Sequence, residues 1–327
     1  MISEEDKIMM ETLYWWGIPT LFRCKNDPDP KNCDIALVGV PHSTGNGTTE
    51  RDQHLGPRAV RNISAMLRRS HFKYKIDPWK DNKIHDLGDV PFPEANDNEK
   101  CIERISNFYD HIEKAEKPVV SIGGDHSVTG GIIQSLAKKD SKLTKGKKIT
   151  LVHFDAHTDC YEKLDHFLGA KKSAAHWASY LVKQGNVDPH TSTQIGIRGN
   201  PRTLDWLQAS YDIGYQVITM DEYKELGHEK CSKMILDRLG DNPIYVTFDL
   251  DCLDSTVAPG TANIEPAFRG FNMDEAIQLI QSLKGKNVIG GDVACLMPTK
   301  DNPNNITSMV AASIMFEIIC LISLNLK

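Results

Sequence analysis

Short apolar runs rich in Val and Ile alternate along the chain with longer stretches of mixed polarity. The runs predict strands at Asp34–Val40, Ile84–Leu87, Pro118–Ile122, Ile149–Asp155, Thr193–Ile197, Tyr215–Thr219, Ile244–Asp249 and Val288–Asp292. Most are continuously apolar instead of alternating, as strands buried on both faces are. The intervening stretches predict helices at Cys101–Ala115, Thr129–Ala137, His176–Gln184, Cys231–Leu239 and Met273–Leu283. Strand–helix repetition over the whole length implies an α/β fold, a parallel sheet with helices on both faces. No long Pro/Gly/Ser linker, repeat or low-complexity tract interrupts it. One large α/β unit is therefore expected, although 327 residues at ~150 per domain would allow two.

The most apolar run, Met309–Leu324, is shorter than the ~20 residues of a membrane span and carries Glu317, so it predicts a buried helix. Met1 to Met10 lacks the basic-then-apolar layout of a signal peptide. With 38 Lys+Arg against 44 Asp+Glu the formal charge is −6. That balance is wrong for non-specific nucleic-acid or anionic-membrane binding, and neither partner is expected. Eight scattered cysteines without a C-x-x-C pair predict free thiols, and with them a cytoplasmic location.

In an open α/β sheet the ligand crevice lies beyond the carboxyl ends of the strands. The fourth predicted strand runs into Asp155, His157 and Asp159 at i, i+2 and i+4, and extended chain points all three to one side. By the same arithmetic the seventh places Asp249 and Asp251 on one face. The third ends in Gly123-Gly124, a turn that delivers His126. Each piece alone is commonplace: a Gly-Gly turn, a D-x-D cap, a hydrogen-bonded histidine. Together they bring two imidazoles and four carboxylates to one crevice. Four buried aspartates would repel one another unless cations balance them. Two divalent ions do so, and six ligands suit a pair ~3.5–4 Å apart sharing a water. Imidazole with carboxylate suits Mn, Ni, Zn or Fe, and the chemistry indicated is binuclear hydrolysis.

The blocks Gly-Gly-Asp-His-Ser (123–127), Asp-Ala-His-Thr-Asp (155–159) and Phe-Asp-Leu-Asp-Cys-Leu-Asp (248–254) resemble the three signatures of the arginase/agmatinase (ureohydrolase) family. The resemblance extends to residues 37–41, 56–61, 86–90 and 290–293, and so covers nearly the whole chain in order. It implies a three-layer α/β/α fold around an eight-stranded, mostly parallel sheet, two Mn or Ni ions per chain, and homotrimers or homohexamers. Matched to the family's motifs, His126, Asp155, Asp159 and Asp249 would hold one ion. His157 and Asp251, with Asp155 and Asp249 bridging, would hold the other. The implied reaction is hydrolysis of a guanidino group to urea plus ammonia or an amine. Besides Asp155 and Asp249, the catalytic residue it implies is His176, which aligns with the family's proton shuttle or substrate contact. Asp125 would support the site from behind, and Asp254 would be a turn or cap group. Residues 1–30 are expected to form an N-terminal arm, with Trp15 and Trp16 on it, and 31–327 a single catalytic domain.

The chain also departs from the pattern. The family carries a Glu three residues after the Asp of the last strand motif, where it pairs with the guanidinium; here that position is Cys295. Gly-Gly-Leu after the metal strand is replaced by Ala267-Phe268-Arg269-Gly270, and Gly-Thr after His176 by Trp177-Ala178. The segment 45–54, ending in His54, also differs. Trp177, Cys295 and His54 are thus the expected substrate-binding positions, with Trp177 narrowing the pocket. These features resemble the guanidine hydrolase and metformin hydrolase-like subgroup and imply a small substrate, free guanidine first. Methylated guanidines or metformin follow, then agmatine or a guanidino acid. Two other classes remain, a non-catalytic partner subunit and a one-metal deacylase resembling histone deacetylases. Intact ligand positions argue against the first, and the additional His126 and Asp159 against the second.

Overall fold

The computed structural model describes residues 2–6, 17–46, 51–161, 169–201, 203–265 and 269–326. Trp15, Trp16, Ala267 and Phe268, and residues 47–50 of the divergent segment, lie outside them.

Among the described residues nine parallel strands form one sheet: β1 Lys25–Asn26, β2 Ile35–Gly39, β3 Ile84–Asp89, β4 Val119–Ile122, β5 Thr150–Phe154, β6 Thr193–Ile197, β7 Gln216–Thr219, β8 Ile244–Asp249 and β9 Val288–Ala294. Their spatial order is β1-β3-β2-β4-β9-β8-β5-β6-β7. All eight predicted strands are present. The ninth, β1, has two exposed residues on the sheet edge and too little apolar pattern to be read from sequence. Within residues 1–30, the stretch from Leu21 to Asn26 is built into the fold. Leu21 and Phe22 are buried, and the Leu21 and Phe22 N–H groups donate to Asp86 Oδ2 and Ser64 Oγ.

The continuous apolar runs are explained by the two cores they feed. Ile35 and Leu37 of β2 face one core while Ala36 and Val38 face the other, and β5 and β8 divide likewise. Helices α1 Gly56–Ser64, α2 Pro78–Asp81, α3 Asn98–Lys114, α4 Val128–Leu136, α5 Trp177–Lys183, α6 Gln208–Ile213, α7 Met220–Leu226, α8 His228–Arg238, α9 Met273–Gln281 and α10 Ile306–Asn325 complete the layers. One core takes side chains from α3, α4 and α5, the other from α1, α7, α8, α9 and α10. By length and composition α10 could cross a bilayer, yet 78% of its apolar stretch is buried, as expected for a core helix. All eight cysteines are buried, and none is in a disulfide.

Two of the sequence blocks meet in one ion-pair fork. Arg61 of α1 donates from Nε and Nη2 to Asp86 of β3 at 2.8 and 3.0 Å, and from Nη1 to Asp89 at 2.6 Å. This planar, bidentate pairing fastens α1 to β3, one strand in from the sheet edge.

Candidate metal centre

The chain runs β4 and then β5, and only later fills the gap between them with β8 and β9. The carboxyl ends of these four neighbouring strands face one crevice, the place where doubly wound sheets bind ligands. His126 follows β4, Asp155, His157 and Asp159 follow β5, Asp249 ends β8 and Asp251 lies in the turn just after it. A Cβ at Gly124 would overlap the His42 carbonyl oxygen, so this turn needs glycine to bring His126 in.

All six predicted residues converge. His126 Nδ1 lies 2.9 Å from Asp155 Oδ2, 3.1 Å from Asp159 Oδ2 and 3.2 Å from Asp249 Oδ2. His157 Nδ1 lies 3.4 Å from Asp155 Oδ1 and 3.2 Å from Asp251 Oδ2. Asp155 therefore presents one oxygen to each imidazole and spans the two halves of the cluster.

The surrounding hydrogen bonds fix what His126 offers. Thr247 Oγ1 donates to Asp292 Oδ1 at 2.8 Å, so it accepts from His126 Nε2–H, also at 2.8 Å. Asp292 is held in turn by the hydroxyls of Thr129 and Tyr245. On the neutral imidazole Nδ1 is then the lone pair, aimed at three carboxylates and buried without a hydrogen-bond partner; Asp251 Oδ2 is likewise buried and makes no hydrogen bond. Acceptors facing acceptors in a closed space call for cations, and this nitrogen and oxygen donor set fits divalent metal ions. His153 also adjoins this group. Gln194 Nε2 donates to its Nδ1 at 3.1 Å and to the Thr158 carbonyl at 2.6 Å. That leaves His153 Nε2–H to donate to Asp155 Oδ2 at 2.9 Å, a role that orients a carboxylate instead of binding an ion.

The titration shifts follow from the same crowding. Burial alone would lower His126 and His157, but the carboxylates around them outweigh it and hold both well above the usual imidazole range. Burial, followed by the charge of Asp249, pushes Asp251 well up, and burial with the charge of Asp155 raises Asp159. Asp155 goes the other way: burial is outweighed by its contacts with His126, His153 and His157.

The remaining expectations divide. Trp177 does not line a pocket mouth: it is fully buried, its indole N–H donates to Asp159 Oδ2 at 2.7 Å, and its ring packs against His126 and His153. The reason is its place at the first turn of α5, which faces the core. His54 is exposed, and among the described residues its ring meets Ser43 and the Arg51 carbonyl, not the cluster. Cys295, just past β9, does reach the cluster; its thiol bonds Asp249, and burial, then the charges of Asp249 and Asp251, push its pKa well up. His176 is buried one residue before Trp177, with Ser173 Oγ 2.7 Å from its Nδ1. Asp125 accepts from the N–H groups of Gly45 and Ser127, fastening the 43–46 loop beside the site. Asp254 accepts from Thr256 and Gly270 and closes a turn.

Sequence reasoning missed His153, Gln194, Thr247, Asp292 and Glu265. His153 had a signal, since it lies two residues before Asp155 on the same strand face. Glu265 had none: only the fold brings its Oε1 to 2.8 Å from His157 Nε2.

Comparison with known proteins agrees with this geometry. The arginase family profile matches residues 33–321. A guanidinopropionase of Pseudomonas aeruginosa is 34% identical over 94% of this chain and 92% of its own. The mitochondrial guanidino acid hydrolase of Homo sapiens is 33% identical over 93% and 82%. Among solved structures, proclavaminate amidino hydrolase from Streptomyces clavuligerus superposes with a TM-score of 0.84 at 28% identity, covering 95% of this chain and 99% of that one. A hypothetical agmatinase from Burkholderia thailandensis gives 0.82 at 30%, covering 96% and 93%. Both curated relatives are named for action on guanidino compounds, and a match over most of the chain with an intact His/Asp cluster leaves one conclusion: this protein belongs to the arginase family.

Proposed function

We propose that the chain hydrolyses a small guanidino compound to urea plus ammonia or an amine, with free guanidine as its substrate and a pair of Mn or Ni ions as its cofactor. The observation that carries this reading is the set of acceptors closing on one another: His126 Nδ1 amid three carboxylates, and Asp251 Oδ2 beside His157. His126, Asp155, Asp159 and Asp249 would hold one ion, and Asp155, His157, Asp249 and Asp251 the other. Bound there, such ions lower the pKa of water and supply a nucleophile near neutral pH.

The chain's own residues do the rest. Asp155 ties the two halves together through its two oxygens. His153 and Trp177 donate to Asp155 and Asp159 and keep those carboxylates aimed. The leaving nitrogen must take up a proton before it departs, and His176, its ring held by Ser173, is the group assigned to give it. Cys295 supports a small substrate, because a neutral thiol stands where the family's pattern has a guanidinium-pairing carboxylate, removing a charge-assisted anchor. The kinship with a guanidinopropionase favours a second reading, a guanidino acid. The chain is further proposed to be cytoplasmic and to assemble as a homotrimer or homohexamer.

Urea release by protein loaded separately with Mn and with Ni tests the reading. The panel is guanidine, methylguanidine, dimethylguanidine, metformin, 3-guanidinopropionate, 4-guanidinobutyrate, agmatine and arginine. Turnover of guanidine or a methylated form above the others is the expected result, and preference for a guanidino acid or agmatine would replace the substrate assignment. Asp249→Asn and His126→Ala are expected to abolish urea release. Unchanged turnover in either would overturn the site.

A further inference from the structure

The first turn of α5 grips Asp159 at two points. Trp177 Nε1–H donates to Asp159 Oδ2 at 2.7 Å, and Ala178 N–H donates to the Asp159 carbonyl at 3.3 Å. A third bond, from Tyr161 N–H to the Ala175 carbonyl at 2.9 Å, lashes the same two segments together. Asp159 needs such a hold. Its φ is +52°, a left-handed conformation that a residue with a Cβ keeps only when its surroundings impose it. The oxygen that Trp177 grips is the same Oδ2 that lies 3.1 Å from His126 Nδ1. The indole ring is wedged against the two imidazoles nearest that oxygen, with centroids 4.9 Å from both His126 and His153. Trp177 is fully buried, so a substrate in the crevice does not touch it. Its N–H nevertheless occupies one lone pair of Asp159 Oδ2 and leaves the other directed into the cluster.

We propose that Trp177 is a positioning residue for metal binding: it fixes the Asp159 carboxylate and thereby sets how tightly the ion on the His126 side is held. The inference deepens the metal-site reading and rests on it. It separates the two halves of the cluster, because Asp159 belongs to the His126 half, whereas His157 and Asp251 have no contact with the indole among those described. It also makes the protein its own reporter. Trp177 is one of five tryptophans, and a paramagnetic Mn or Ni ion at His126 would lie close enough to quench its fluorescence.

The experiment is equilibrium dialysis of the full chain against Mn and, separately, Ni, with tryptophan emission followed in parallel. Wild-type protein is expected to bind two ions per chain and to lose part of its emission as it does so. No bound ion would overturn the metal-site reading itself, and the proposal with it. Trp177→Phe is expected to retain one ion at wild-type affinity, to hold the other about 10–100-fold more weakly, and to lose the quenchable component. Two ions at unchanged affinity would overturn the proposal and leave the metal site standing. Because Trp177→Phe empties space in a packed core, the same titration is made with β-(3-benzothienyl)alanine at position 177. This isostere keeps the bicyclic ring and lacks the N–H. Selective weakening of one ion in this variant supports the hydrogen bond as the cause; two ions held as tightly as in wild type overturns it.

Discussion

Thr247 contributes to the site without belonging to it. Its hydroxyl accepts a hydrogen bond from His126 Nε2–H and donates one to Asp292, and this chain of donors leaves Nδ1 as the lone pair of the neutral His126 ring. A methyl in its place would strand one buried N–H and one buried carboxylate oxygen. Thr247→Val keeps the volume, so the fold should survive while metal affinity drops about 10–100-fold, as losses of an outer hydrogen-bonding partner do. Dialysis against Mn or Ni checks this, and unchanged affinity would mean that His126 is oriented by other contacts. Cys295 shows why a single residue is hard to interpret from position alone. At a φ of +68° and against Asp249, it is a neutral thiol inside a charged cluster, and its chemistry is set by neighbours from another strand.

At the scale of elements, the fork of Arg61 on Asp86 and Asp89 joins α1 to β3. Burial would raise the Asp86 pKa, but the Arg61 bonds and charge, with the Leu21 and Gly88 N–H groups, hold it below the ordinary carboxylate range. A carboxylate whose folded pKa is depressed stabilises the fold above its unfolded pKa of about 3.9. That contribution is lost as pH falls from there through the folded pKa. Asp86→Asn should therefore cost about 3 kcal/mol at pH 7, because it leaves a largely buried guanidinium short of its partner. It should also flatten the loss of stability below pH 4. Denaturant unfolding at pH 7 and across pH 2–5 would show both; a variant as stable as wild type at pH 7 would reduce the fork to decoration.

For the molecule as a whole, the cluster makes stability depend on metal. Several acids crowd two imidazoles at the centre of the sheet, and without ions protons must take the cations' place. Ions that bind only the folded chain add RT ln(1 + [L]/Kd), about 4 kcal/mol at a thousandfold excess over Kd. The melting temperature should therefore rise with added Mn or Ni and fall back on chelation. A melting curve indifferent to both would mean that no ion binds the folded state.

The unaided sequence determined much of this. Eight strands and the buried terminal helix were legible because burial on both faces writes a continuous apolar run, and a period of two placed Asp155, His157 and Asp159 on one side. The six clustered residues were legible because their types and spacing carry chemistry that few other arrangements need. Only the tertiary structure decided what surrounds them. Asp292 lies 45 residues from Thr247 and Glu265 lies 108 from His157, so no local pattern announces either bond. Trp177 read as a pocket wall because a bulky apolar residue beside a functional histidine has two possible faces. Its orientation was settled by α5, whose first turn packs inward. Strand order, too, was a tertiary matter: β8 and β9 insert between β4 and β5, and that insertion alone brings four strand ends to one crevice. Local periodicity reports which faces are buried, whereas partners distant in sequence are chosen by the packing of the whole chain.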